Sequence, residues 1–154
     1  MEKIKLTNYE DKYLDTVIDI LMDAYQDIPE YGEANRKQAK RYIKWLKKHS
    51  TFFKILFYED EPAAFIVGDG NWIDIEGKHV GEIHELSVKK KFWGKRLGDF
   101  LLNKVLQHFK ELGLKKSGLW VGEKNKRAID FYKKHGFQET GIKYYGWVRM
   151  EKNL

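Results

Sequence analysis

The sequence predicts one α/β domain spanning residues 1–154, with a mostly antiparallel sheet flanked by helices. A length of 154 residues suits one hydrophobic core, and 42% hydrophobic with 34% charged residues is typical of a folded globular chain. Strand-like and helix-like patterns follow one another without a repeat or a linker. The strand predicted at 80–88 and the strand predicted at 118–122 are separated by a helix, so we expect these two strands to be parallel.

The first part of the chain predicts a strand and two helices. Ile4 and Leu6 alternate with lysines, which indicates a short strand. Asn8 is expected to cap a helix whose apolar stripe runs through residues 14–25. Pro29 and Gly32 then break the chain, and a second apolar stripe at 39–46 predicts a second helix.

The middle of the chain predicts an antiparallel meander. Apolar runs at 52–58, 63–68 and 72–76 are separated by the turn-forming sequences EDEP and DGN, and a further strand is expected at 80–88.

A helix at 95–112, a strand at 118–122, a helix at 126–135 and a last strand at 144–150 complete the predicted order β-α-α-β-β-β-β-α-β-α-β. Gly113 follows the first of these helices at the position where a left-handed residue commonly ends a helix.

Charge and composition narrow the class of partner. The formal net charge is +6 and the isoelectric point is about 9.3, which favours anionic ligands. The chain has no cysteine, which excludes disulfides, thiolate metal sites and cysteine nucleophiles. We expect a cytoplasmic protein without a membrane segment, because no secretory leader is visible and no apolar run approaches the roughly 20 residues of a membrane span.

Residues 91–98, KFWGKRLG, form a basic loop between a strand and a helix. A diphosphate needs several backbone N–H donors, little side-chain bulk and a helix N-terminus, and Gly94 and Gly98 reduce the bulk here. Lys95 and Arg96 can add charge-assisted contacts. The alternative is a simple strand-to-helix turn.

Two motifs resemble those of the GNAT superfamily of acyl-CoA N-acyltransferases. The first, Lys91-Phe-Trp-Gly94-Lys-Arg96, is similar to the family signature Gln/Arg-x-x-Gly-x-Gly/Ala, with Lys91 and Arg96 as departures. The second is similar to Asn-x-x-Ala-x-x-Phe-Tyr-x-x-x-Gly-Phe. Its matching residues are Asn125, Ala128, Phe131, Tyr132, Gly136 and Phe137. In sequence, both motifs are most similar to those of polyamine N-acetyltransferase-like members.

This resemblance implies the GNAT fold, in which parallel strands 4 and 5 splay apart around pantetheine, and acetyl-CoA as cosubstrate. No metal is expected, because His49, His79, His108 and His135 show no metal-ligand spacing with carboxylates. The residues that the resemblance implies for cofactor binding are Leu86, Ser87, Val88, Lys91, Trp93, Gly94, Lys95, Arg96, Leu97, Gly98, Asn125, Ala128, Phe131 and Tyr132.

The same resemblance implies that Tyr132 protonates the leaving sulfur and that a backbone N–H near 86–88 stabilises the oxyanion. The base is left open between Glu82, Glu85, His84 and no side chain at all. Strict strand alternation would place Glu82 and His84 on the face of Leu86 and Glu85 on the opposite face, whereas a β-bulge would break this rule.

The expected reaction is direct acetyl transfer to a primary amine of a polyamine, a small amine or a peptide. The acidic residues Asp23, Asp27, Glu30 and Glu33 would suit a cationic acceptor, or they form a solvated helix end. An acetyl-CoA-binding sensor or scaffold is the alternative. Neither a nucleic acid nor a membrane is expected as a partner, and a homodimer is left open.

Overall fold

The computed structural model of the protein describes residues 3–154. Seven strands and four helices follow one another along this part of the chain. The strands are β1 (Ile4–Asn8), β2 (Phe52–Tyr58), β3 (Glu61–Ile73), β4 (His79–Val88), β5 (Lys116–Gly122), β6 (Gln138–Tyr144) and β7 (Trp147–Asn153). The helices are α1 (Leu14–Ala24), α2 (Arg36–His49), α3 (Leu97–Glu111) and α4 (Lys126–Lys134).

All seven strands form one sheet in the order β1-β2-β3-β4-β5-β7-β6. Strands β4 and β5 are parallel and joined through α3, and the other neighbouring strands are antiparallel. This arrangement confirms the predicted mixed α/β fold with one parallel pair in a mostly antiparallel sheet.

The distribution of the strands differs from the prediction at two places. The run predicted at 63–68 and the start of the run predicted at 72–76 belong to one strand, β3, because Gly70 and Asn71 form a bulge rather than a turn. The Asp69 carboxylate accepts the N–H of Asn71 at 2.9 Å and supports this bulge. The strand ends at Ile73, and residues 74–77 form a turn, with the N–H of Gly77 donating to the carbonyl of Asp74 at 2.9 Å. The single strand predicted at 144–150 is a hairpin of β6 and β7, whose turn residues Tyr145 and Gly146 both have positive φ, at 44° and 85°.

The first helix also begins differently. Asn8 is the last residue of β1 and pairs with Lys54 of β2, so it does not cap α1. A short 3-10 turn, Asp11–Tyr13, leads into α1 instead. The residue that caps a helix in this region is Asn35, whose side chain accepts the N–H of Gln38 at 2.9 Å at the start of α2.

Helices cover both faces of the sheet. One core lies beneath α3 and α4 and the other beneath α1 and α2. Gly81 of β4 allows the first core to close, because a Cβ atom there would lie 2.4 Å from the ring of Phe109. The two cores fix β4 from both sides, and β4 carries the candidate site.

Candidate active site

Strand β4 contains a bulge at its centre. Glu85 pairs with Val67 of β3 and Ile83 pairs with Gly68, so His84 is an extra residue between two consecutive pairs. A bulge of this kind bends the strand and changes which face its side chains meet.

The bulge brings three polar side chains to the face covered by α1 and α2. The Glu82 side chain binds Arg149 on this face, the His84 ring lies 4.9 Å from the ring of Trp45 on α2, and Glu85 bonds to Tyr42 on α2. Strict alternation would have separated Glu85 from the other two.

Strands β4 and β5 separate just before the bulge. Their parallel pairing is confined to Gly81 with Ser117 and Glu82 with Gly118. Beyond these pairs a cavity of about 910 Å³ opens, bounded by the ends of β4 and β5, the segment between α1 and α2, the β4–α3 loop and α4. The splayed strands therefore leave an open slot next to a polar patch.

Glu85 lies at the centre of this patch. It is buried, and its carboxylate accepts hydrogen bonds from Tyr25 Oη at 2.8 Å, Tyr42 Oη at 2.7 Å and Ser87 Oγ at 2.8 Å. Burial raises the pKa of Glu85 above its ordinary value, and the three hydroxyl groups partly oppose this shift. A carboxylate with a raised pKa that faces a cavity is suited to accept a proton.

Tyr132 of α4 faces the same cavity from the opposite side. Its side chain is only 8% exposed, and its ring packs between Phe131 and Phe137. Its hydroxyl group has no hydrogen-bond partner among residues 3–154. Burial, and then the charge of Glu85, raise the pKa of Tyr132, so the phenol keeps its proton at neutral pH.

Glu82 has a different environment from Glu85. Its two carboxylate oxygens accept hydrogen bonds from Arg149 Nη1 at 2.6 Å and Nη2 at 2.8 Å, and both side chains are buried. A carboxylate held by both nitrogens of a guanidinium is a poor proton acceptor. The geometry therefore argues against Glu82 as the base and leaves it as part of a buried ion pair. Sequence patterns gave no signal for Arg149, which occupies one position of an ordinary strand.

The β4–α3 loop has an unusual backbone. Gly94 has a φ of 86°, and a Cβ atom placed there would meet no atom within 4 Å. Arg96 also has a left-handed φ, at 62°, and stands just before α3. For this reason α3 begins at Leu97 and not at residue 95, as the sequence analysis predicted.

The predicted cofactor residues of this loop divide into two groups. The cavity is lined by Trp93, Gly94, Arg96, Leu97 and Gly98. Lys91 and Lys95 lie outside it, because Lys91 Nζ binds Glu61 at 2.6 Å and Lys95 Nζ lies 5.2 Å from the ring of Tyr58. The predicted contacts of these two lysine side chains with the cofactor thus find no support in the geometry.

The second motif lies next to the loop. Asn125 caps α4 by accepting the N–H of Ala128 at 3.3 Å, and both residues line the cavity with Phe131. A Cβ atom on Gly98 would be 3.3 Å from the Phe131 ring, so the glycine allows the starts of α3 and α4 to approach each other. Leu86, Ser87 and Val88 line the cavity from β4.

Arg127 joins the two motifs. Its guanidinium stacks on the Trp93 ring at 3.5 Å from the ring centre, and the indole N–H of Trp93 donates to the carbonyl of Val88 at 2.9 Å. Burial lowers the pKa of Arg127, although the group remains charged at neutral pH. Arg127 is one of the basic residues that open the second motif, but the sequence carries no signal for its stacking on Trp93.

The acidic residues at the end of α1 and just after it differ in their contacts. Asp23 accepts the backbone N–H of Lys90 at 2.7 Å, and Asp27 forms an ion pair with the side chain of Lys90. These two residues fasten the end of α1 to the β4–α3 loop. Glu33 lines the cavity, whereas Glu30 is exposed outside it.

One other carboxylate cluster, formed by Asp74, Glu76 and Glu151, is close enough to hold a metal ion. The ammonium of Lys78 lies 3.1–3.8 Å from these three side chains and supplies a positive charge there. That no metal is needed stays a prediction. No helix within residues 3–154 has the length and apolar character required to span a membrane.

The separated ends of β4 and β5, the β4–α3 loop, Glu85 and Tyr132 thus meet at one cavity. A model of the Acetyltransferase (GNAT) family matches residues 14–137, and the chain belongs to this family of acyl-CoA N-acyltransferases. The predicted resemblance is thereby confirmed.

Among its relatives, an uncharacterized N-acetyltransferase of Methanocaldococcus jannaschii is 38% identical over 143 residues, which are 92% of this chain and 63% of that protein. The chain thus spans less than two thirds of this relative. An uncharacterized N-acetyltransferase of Archaeoglobus fulgidus is 35% identical over 121 residues, covering 77% of this chain and 82% of that protein.

Solved structures show the same fold. PH1933 from Pyrococcus horikoshii OT3 superimposes with a TM-score of 0.87 at 39% identity, covering 98% of each chain. The PaiA N-acetyltransferase from Thermoplasma acidophilum, solved in complex with coenzyme A, gives a TM-score of 0.79 at 19% identity, covering 99% of this chain and 100% of that one. The second likeness supports the fold alone.

Proposed function

We propose that the protein transfers an acetyl group from acetyl-CoA directly to a primary amine, whether of a polyamine, a small amine or a peptide. The observation that carries this proposal is the placement of the Glu85 carboxylate and the free hydroxyl of Tyr132 on one cavity, which begins at the left-handed loop. Because the chain has no cysteine, an acetyl-cysteine route is not available to it.

The residues around the cavity fit acetyl-CoA. The open space at Gly94 leaves room for a diphosphate against the backbone at the start of α3. Arg96 and Arg127 line the same end and supply positive charge. The unpaired edges of β4 and β5 offer backbone hydrogen bonds to pantetheine. When bound, acetyl-CoA supplies an activated acyl group as a thioester.

Two side chains move protons in this proposal. The acceptor enters as an ammonium, and the Glu85 carboxylate takes one of its protons so that the nitrogen lone pair can attack the acyl carbon. Tyr132 donates its hydroxyl proton to the leaving sulfur as the C–S bond breaks, so the thiol departs in its neutral form. The nitrogen gives up its second proton as the amide forms, which restores the Tyr132 phenol, and Glu85 releases the first proton to solvent. The two groups are suited to opposite tasks, since one is a carboxylate and the other is a phenol with a raised pKa.

Tyr25, Tyr42 and Ser87 position Glu85. Their hydroxyl groups donate to both carboxylate oxygens, which fixes the orientation of the carboxylate relative to the cavity. Burial raises the pKa of each of the two tyrosines well above its ordinary value, as does the neighbouring Glu85, so both remain hydrogen-bond donors.

Calorimetric titration of acetyl-CoA into the purified protein, followed by turnover with a panel of amines, tests the proposal. We expect micromolar acetyl-CoA binding, amine-dependent thiol release and a kcat at least about 100-fold lower in Glu85→Gln. Glu139→Gln, on the exposed strand β6, is the matched control and should retain the wild-type rate.

The outcomes distinguish an acetyltransferase from a domain that only binds acetyl-CoA. Binding without turnover of any amine would leave an acetyl-CoA-binding domain that acts as a sensor or scaffold. Absence of binding would contradict both functions. A Glu85→Gln variant with the wild-type kcat would remove Glu85 from the chemistry.

A further inference from the structure

Resting on the proposed function, we propose that the acceptor is an aliphatic diamine or polyamine, a chain with two or more ammonium groups and no carboxylate. The observations that carry this inference are the separation of charge within the cavity, the unpaired Glu33 and the aromatic walls around it. Each of these features belongs to the half of the cavity that the loop does not occupy.

The positively charged residues that line the cavity all lie at one end of it, where Asp99 and Asp130 also line the wall. Every lining lysine or arginine, namely Arg96, Arg127 and Lys134, lies on the β4–α3 loop or on α4. The end between α1, α2 and the sheet is lined by carboxylates, including Glu33, Glu82 and Glu85, and by no lysine or arginine within residues 3–154. A basic protein with a net charge of +6 thus presents an acidic surface at this end.

Glu33 is the carboxylate of this end that is free to meet a ligand. Asp27 is paired with Lys90 and Glu82 with Arg149, whereas Glu33 makes no ion pair or side-chain hydrogen bond within the described chain. Burial raises the pKa of Glu33. Its charge also helps to raise the pKa of Glu85 and of both tyrosines that bond to Glu85, and all four residues line the same cavity.

Two nearby carboxylates match a ligand with two cationic groups. The ammonium that will be acetylated meets Glu85, and a second ammonium on the same chain meets Glu33. The hydroxyl of Tyr132, on a side chain that is more than nine-tenths buried, has no partner among residues 3–154 and independently marks the reacting end of the cavity.

Aromatic rings form the walls of the acceptor end. The rings are Tyr25, Tyr31, Tyr42, Trp45, Trp72 and Trp147. Trp45 and Trp72 pack edge to face at 6.2 Å on one side, and Tyr31 and Trp147 pack edge to face at 5.2 Å on the other. Aromatic faces bind methylene chains by burial and ammonium groups by cation–π attraction.

The same charges disfavour acceptors that carry a carboxylate. An amino acid would place its carboxylate near Glu33 or Glu85, where no lining cation would compensate for its desolvation. Specificity against such acceptors arises from this repulsion, and specificity against monoamines arises from the missing second contact.

A set of three probes isolates each feature of the acceptor. Cadaverine, pentylamine and lysine share a primary amine on a similar carbon chain. Pentylamine lacks the second ammonium, and lysine adds a carboxylate. We expect kcat/KM for cadaverine to exceed the values for both of the others by at least about 10-fold at low ionic strength.

Binding is measured separately from turnover. Each probe is titrated into the protein saturated with CoA, so that affinity is obtained even if no acetyl transfer occurs. Cadaverine should bind at least about 10-fold more tightly than pentylamine. Tight and selective cadaverine binding without turnover would contradict the proposed function and still support diamine recognition at this end of the cavity.

A pair of variants tests Glu33 directly. Glu33→Gln should reduce the cadaverine-to-pentylamine ratio of affinities about 10-fold, whereas Glu30→Gln, on the exposed neighbour outside the cavity, should leave the ratio unchanged. Equal binding of cadaverine and pentylamine, preferred turnover of lysine or of a peptide amine, or an unchanged ratio in Glu33→Gln would each overturn the inference.

Discussion

Replacing Tyr132 with phenylalanine removes one oxygen atom from the cavity and leaves the packing of the ring in place. The ring is 8% exposed and lies with its centre 5.2 Å from that of Phe131 and 5.6 Å from that of Phe137. Because the hydroxyl has no partner within residues 3–154, no hydrogen bond is lost, and we expect the free energy of unfolding to change by less than about 0.5 kcal/mol.

The effect on catalysis should be much larger. A positioned general acid contributes about 100- to 10,000-fold to the rate. Since a thiol is a better leaving group than most that require an acid, we expect the lower part of this range, a loss of about 100- to 1,000-fold in kcat. This loss corresponds to about 3–4 kcal/mol in the activation barrier. The affinity for acetyl-CoA should stay near the wild-type value, because the ring is retained.

The assay follows free thiol with a chromogenic reagent in single-turnover experiments, so that product release does not mask the chemical step. The chain has no cysteine, so all thiol detected comes from CoA. Tyr13→Phe, a tyrosine that packs on Phe57 outside the cavity, is the matched control. A single-turnover rate for Tyr132→Phe within about twofold of the wild type would refute the assignment of Tyr132 as the acid.

Three further perturbations test other parts of the structure. Gly94→Glu should abolish acetyl-CoA binding in calorimetry, because it adds negative charge at a φ of 86° where side chains are disfavoured; retained affinity would place the diphosphate elsewhere. Arg149→Met should lower the free energy of unfolding by about 3–5 kcal/mol in urea titrations, because Glu82 is left buried without its partner. The double variant with Glu82→Leu should recover part of this loss but not all of it, since Arg149 also lies 3.5 Å from Glu151 and 4.0 Å from Asp74. Burial lowers the pKa of His84, an effect that its hydrogen bond to Asp69 opposes, so the folded state favours the neutral ring. Stability should therefore fall as the pH drops below about 6.5, and His84→Gln should flatten this dependence in denaturation curves; an unchanged slope would contradict it.

Local sequence patterns were sufficient to predict most of the helices and strands. The apolar stripes of α2 and α3 and the apolar run of β2 are signals carried within a few residues, and the structure places these elements within a few residues of the prediction. Strand β6 was missed because nearly all of its residues are exposed, so it shows no apolar alternation. The bulge at Gly70 and Asn71 was taken for a turn because the same residue types form both.

The sequence was sufficient to predict where the candidate site lies, but not to choose between Glu82 and Glu85 as the base. The motifs predict that Gly94, Asn125 and Tyr132 surround one cavity, because Gly94 and Asn125 precede α3 and α4 and Tyr132 lies on α4. The difference between Glu82 and Glu85 depends on Arg149 and Tyr42, which lie 67 and 43 residues away in the chain. Such long-range contacts have no local signature.

The extra residue at His84 has a consequence for how this chain tolerates changes in length. Deleting one residue from the β6–β7 turn would shorten an exposed connection. Deleting His84 would also preserve the faces of the strand, because the bulge places two consecutive residues, His84 and Glu85, on the side covered by α1 and α2. Without His84 the strand would alternate regularly, with Glu82, Glu85 and Ser87 on that side and Ile83 and Leu86 toward the core beneath α3. The Glu85 carboxylate would keep its side of the sheet, so the extra residue makes β4 tolerant of a deletion at this position.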